Sequence, residues 1–139
     1  MHAFTETSES GYGACAFLRL FDEGGDVSCK LLLCQSRVVP RKKQIVTRFE
    51  LTAARIGAKP TACVQRELDL PLDATVMWTA ICAGLHQKPP KRFQMFVANR
   101  EAAIHQLTKP DQWRYVDGKL NPADMVSRGL HASFTCPLG

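Results

Sequence analysis

Two apolar, aromatic-rich stretches, residues 11–21 and 27–39, flank the pentapeptide Asp22-Glu23-Gly24-Gly25-Asp26, and no other feature limits the possible folds as much. Adjacent glycines supply the positive φ that a tight strand connection needs, so the pattern predicts two long strands joined by a short turn. Residues 2–7 read as a strand ahead of them, which makes an initial meander.

The chain then changes character. Val39-Pro40-Arg41-Lys42-Lys43-Gln44 reads as a solvated basic loop, and Thr47 opens a helical pattern with Phe49, Ala53 and Ile56 on one face. Thr47 followed three residues later by Glu50 matches a capping box, in which each side chain satisfies the other's backbone N–H. Pro60 removes a backbone donor at a cost of about 3 kcal/mol in a helix interior, which predicts a kink or break before residues 61–68. Pro71 closes the segment. Residues 75–79 are β-branched and aromatic and suit a buried strand. A short helix is expected next, then an irregular Lys88-Pro89-Pro90-Lys91-Arg92, then a helix over residues 93–107 through Phe96, Val97, Arg100 and Ile104. Trp113-Arg114-Tyr115-Val116 reads as the last strand, and Asn121 as N-cap with Pro122 at the first helical position begins a terminal helix. Strand–helix–strand alternation after a meander implies an α/β fold with a mixed sheet and helices on its faces.

The length of 139 residues, 45% of them hydrophobic, suits one domain spanning 1–139 with a real core, and the 22% charged fraction argues against disorder. The formal charge of +5 favours a polyanionic partner. The six cysteines, Cys15, Cys29, Cys34, Cys63, Cys82 and Cys136, form no CxxC pair and stand at no zinc-finger spacing to a histidine, which leaves a zinc or thiol-chemistry protein as the poorest reading. Free, mostly buried thiols in a reducing compartment are expected. The N-terminus lacks the basic and apolar regions of a secretory signal, and Leu31-Leu32-Leu33-Cys34 is far too short to span a bilayer, so the expected place is intracellular and cytoplasmic, away from membranes.

Three segments carry a more specific signal: His2-Ala3-Phe4-Thr5-Glu6-Thr7-Ser8 with Gly11-Tyr12-Gly13-Ala14, Arg48-Phe49-Glu50-Leu51, and Asn121-Pro122-Ala123-Asp124-Met125-Val126-Ser127-Arg128-Gly129. In this order and spacing they resemble the ribonuclease H domain of BEL/Pao-type LTR retrotransposon polyproteins. Ser36-Arg37-Val38, Pro89-Pro90-Lys91-Arg92, Phe96-Val97-Ala98-Asn99-Arg100 and Gly118-Lys119-Leu120 extend the resemblance over nearly the whole chain. It implies a ribonuclease H-like fold, a mixed five-stranded sheet with helices on both faces, and four convergent carboxylates that hold two Mg2+ or Mn2+ ions for phosphodiester hydrolysis. Glu6 stands where the family has Asp, longer by one C–C bond; Glu50 and Asp124 match the second and fourth positions. At the third, the family's Trp-Thr-Asp-Ser reads Trp78-Thr79-Ala80-Ile81, and the Ala80 methyl offers no oxygen. Each acid also has a simpler account: Glu6 as a solvent-side residue on a strand edge, Glu50 in its capping box, Asp124 favoured by the helix dipole.

The resemblance therefore implies ancestry in an enzyme that cleaves RNA in RNA–DNA hybrids, with activity weak or absent here and Glu6, Glu50 and Asp124 left to hold a single ion weakly. Arg41, Lys42, Lys43, Lys91 and Arg92 are the expected contacts to nucleic acid, and the reverse transcriptase part of the same polyprotein is a second expected partner. The alternative is a non-catalytic nucleic-acid-binding or structural module. A start almost on the first strand suggests a piece of a longer polyprotein. Trp78 and Trp113 are expected to fill core.

Overall fold

The computed structural model of the protein describes residues 1–39, 46–80 and 94–129; the side chains of residues 46–50 and 94 lie outside that description. Strands β1 (His2–Thr7), β2 (Gly11–Phe21) and β3 (Val27–Val38) are followed by helix α1 (Val46–Leu68), strand β4 (Val76–Thr79), helix α2 (Gln94–Leu107), strand β5 (Trp113–Tyr115) and helix α3 (Ala123–Arg128). The sheet order is β3-β2-β1-β4-β5, with β1 antiparallel to β2 and β2 to β3, and with β1–β4 and β4–β5 parallel. This is the mixed α/β sheet that the strand–helix alternation and the resemblance both imply.

The meander follows the expected boundaries because its turn is built as the residues suggest. Gly25 takes φ 86°, its N–H donates to the Asp22 carbonyl, and the Asp26 N–H donates to Asp22 Oδ1 at 2.8 Å. β3 is an edge strand and largely exposed, which is why its Leu31 is open to solvent.

Side-chain alternation divides the sheet. Ala3, Thr5, Ala14, Ala16 and Met77 are buried, and Ala3, Ala16 and Met77 pack with Ala58 of α1. Small residues let the helix settle closely: a Cβ on Gly57 would meet Thr5 Cγ2 at 2.1 Å. α2 lies on α1 through Leu51, Ala54, Val97 and Ile104, and Trp113 of β5 packs against both buried clusters, its indole N–H donating to Thr108 Oγ1 at 3.0 Å. α3 covers the opposite face, at β2 and β1. Trp78 is only half-buried: it stacks with Phe4 at 6.1 Å and donates from Nε1 to His2 Nδ1 at 3.0 Å.

Pro60 does not break the helix. α1 continues from Val46 to Leu68 with Pro60 inside it, because Leu51, Ala54 and Ala58 before the proline and Thr61 after it all remain buried on the same stripe. Packing on both sides outweighs one missing backbone hydrogen bond. The cysteines also depart from expectation: of those described, Cys15 is buried and its thiol is pushed up to about 12, first by burial and then by Cys34, whereas Cys29, Cys34 and Cys63 are exposed. The basic loop expected over residues 39–44 (apart from Val39), the short helix expected after β4, and the Thr47–Glu50 capping contacts lie outside the described residues or side chains. Among the described residues no helix is long and apolar enough to cross a membrane.

Candidate active site

Strands β1, β4 and β5 run parallel, so their C-terminal ends gather on one rim of the sheet. Glu6 sits at that end of β1, and Ala80 directly follows β4. Between β5 and α3 the short 3-10 turn Gly118–Leu120 brings Gly118 to both. A Cβ placed on Gly118 would lie 3.7 Å from Glu6 Oε2 and 4.0 Å from the Ala80 methyl.

Glu6 does not face solvent. β1 is the middle strand of the sheet and Glu6 is 8% exposed. Its Oε1 accepts from the Thr7 N–H at 2.9 Å, and its Oε2 accepts from Asn121 Nδ2 at 3.2 Å. Burial raises its pKa; the two donors and Arg128 act against this, and the charge of Asp124 adds to it.

Asp124 reaches the rim because two glycines let α3 lie flat on β2. A Cβ on Gly13 would stand 2.4 Å from the Ala123 carbonyl oxygen, and one on Gly11 2.9 Å from that of Ser127. Gly13 is the register partner of Glu6, which puts the first turn of α3 over the carboxylate. Asn121 fixes the same junction. Its backbone is extended (φ −85°, ψ 110°), that of Pro122 is helical (φ −62°, ψ −21°), and Asn121 Oδ1 accepts from the Ala123 N–H at 3.0 Å. It therefore caps the helix as expected, while its Nδ2 also donates to the Thr5 carbonyl at 2.9 Å. Asp124 Oδ1 accepts from Arg128 Nε at 2.9 Å.

Glu6, position 80 and Asp124 thus come together, and Glu50 has its backbone in α1 with its side chain outside the description. The described side chains do not by themselves fit a pair of divalent cations: Ala80 supplies no oxygen, both Glu6 oxygens and one Asp124 oxygen already accept protein donors, and no group of three or more His, Cys, Asp or Glu among the described residues could hold a metal ion.

The family model for the Pao retrotransposon-like RNaseH-like domain matches residues 1–80. The chain belongs to this family. No curated protein sequence matches it. The matched stretch contains Glu6 and Glu50 and ends on Ala80; Asp124 lies beyond it.

Sequence reasoning missed several residues that build this rim. Asn121 was legible as a cap but not as a donor to the carboxylate, since that contact joins residues 115 positions apart. The Gly11-Tyr12-Gly13 alternation is a signal of its own, since two glycines on one face of a strand mark a close approach. Arg41, Lys42, Lys43, Lys91 and Arg92 lie outside the described residues.

Proposed function

We propose that this domain descends from a two-metal ribonuclease that cleaved RNA in RNA–DNA hybrids, and that it now engages nucleic acid with little or no turnover. The observation that carries the reading is the methyl of Ala80, which neighbours Gly118 as Glu6 does, at the strand end where the family places a third carboxylate. An in-line displacement assisted by two ions needs oxygen ligands on both sides of the reacting phosphate. With Glu6, Glu50 and Asp124 alone, the rim holds at most one Mg2+ or Mn2+ weakly. Nucleic acid is gripped through Arg41, Lys42, Lys43, Lys91 and Arg92, and the reverse transcriptase portion of the polyprotein is the natural neighbour.

The test is incubation of the purified domain with an RNA–DNA hybrid and Mg2+ or Mn2+. Salt-dependent binding without cutting is expected. Robust cleavage that disappears in Asp124→Asn overturns the loss of turnover, and absence of any binding favours the structural module instead.

A further inference from the structure

On the face of the sheet opposite α3, a groove of about 750 Å3 opens between β3 and α1 and is closed at one end by α2. Strand alternation places it there: Gly11 and Gly13 lie under α3, so Tyr12 between them projects the other way and lines the groove. Its floor is apolar, from Leu33, Ile56 and Val64. Its charges are of one sign. Arg37 comes from β3, Arg55 and Lys59 from successive turns of α1, and Arg100 from α2; no Asp or Glu lines it among the described residues. Neither Arg37, Arg55 nor Lys59 has an ion pair among the described residues, and all three are exposed. Arg100 also lies over the Phe96 ring at 5.1 Å.

Gathering Arg37, Arg55 and Lys59 around one concavity with no counter-charge among the described residues costs mutual repulsion, which an anionic occupant relieves. Guanidinium groups on opposite walls match phosphate oxygens, because each presents paired N–H donors in one plane. We infer that this groove seats the sugar-phosphate backbone of a nucleic acid, a contact surface separate from the acidic rim; the inference rests on the nucleic-acid reading above and names where the strand is held. Phosphates pair with Arg37, Arg55 and Lys59 while the sugars lie over the apolar floor. Contacts of this kind position a strand without reading its sequence.

The groove carries its own reporter, since the exposed thiol of Cys63 lines it. The full chain is incubated in EDTA with a short RNA–DNA hybrid, alkylated and peptide-mapped. Protection of Cys63 is expected while the exposed Cys29 stays reactive. In a parallel titration, the slope of log affinity against log salt should become shallower by about two units in Arg55→Gln/Lys59→Gln, roughly one for each phosphate contact removed. An unprotected Cys63, or a wild-type slope in that variant, overturns the groove assignment. If the slope instead drops only in Arg41→Gln/Lys42→Gln/Lys43→Gln, the groove fails and the nucleic-acid reading survives; if the unaltered protein binds no hybrid, both fail. Protection of Cys63 by poly-glutamate but not by the hybrid would mark a peptide site and equally reject the inference.

Discussion

A buried amide that donates to a backbone carbonyl and a carboxylate while accepting from a helix N–H has few substitutes, and Asn121 does all three at 3% exposure. Asn121→Ala should cost about 3 kcal/mol in urea unfolding, the sum of two neutral bonds and one to a charged group; a loss within experimental error of zero would contradict the bonding described. The carboxylate it serves sets a pH signature. Burial, with Asp124, holds the Glu6 pKa above the ordinary value of 4.5. A carboxyl raised in the native state binds its proton more tightly there than in the unfolded chain. Its stabilising contribution is therefore complete below the ordinary value and is lost as pH rises through the raised one. Stability measured across that window should fall with pH, and Glu6→Gln, which cannot ionise, should flatten the fall. An unchanged profile in the variant would show that another group is responsible.

At the level of elements, closeness is supplied by missing side chains. α3 can lie on β2 only because positions 11 and 13 have no Cβ, and α1 reaches Thr5 only because position 57 has none. Gly13→Ala should destabilise by at least about 1–3 kcal/mol, since the added carbon meets backbone that cannot rotate away. Gly24→Ala is the comparison, for there the new carbon meets only the flexible Asp22 carboxylate at 3.3 Å. Equal thermal unfolding of the two variants would mean that α3 is not seated as described. Element boundaries were readable where a local signal dominates, as in Asp22-Glu23-Gly24-Gly25-Asp26 and in Asn121-Pro122. They were misread where tertiary packing overrides local preference. Pro60 is the clearest instance: its cost is written in the sequence, but the buried stripe that carries α1 past it becomes visible only once the helix lies on the sheet.

For the molecule as a whole, the succession of strands and helices along the chain, the mixed sheet and the family were legible, because they follow from patterning and from motifs in fixed order. The rim was legible in part. The sequence names Glu6, Ala80 and Asp124, but their proximity depends on parallel pairing of β1 with β4 and on the seat of α3, which no single segment encodes. The basic groove was not legible, since Arg37, Arg55, Lys59 and Arg100 come from three elements and form no run along the chain.

Turnover hinges on position 80, and one comparison tests this directly: the initial rate of RNA–DNA hybrid cleavage in Mg2+ by the unaltered domain and by Ala80→Asp combined with Glu6→Asp. Negligible cutting by the first and measurable cutting by the second is the predicted result, with the gain abolished by adding Asp124→Asn. Robust cleavage by the unaltered domain, or no gain from a correctly folded double variant, would contradict it.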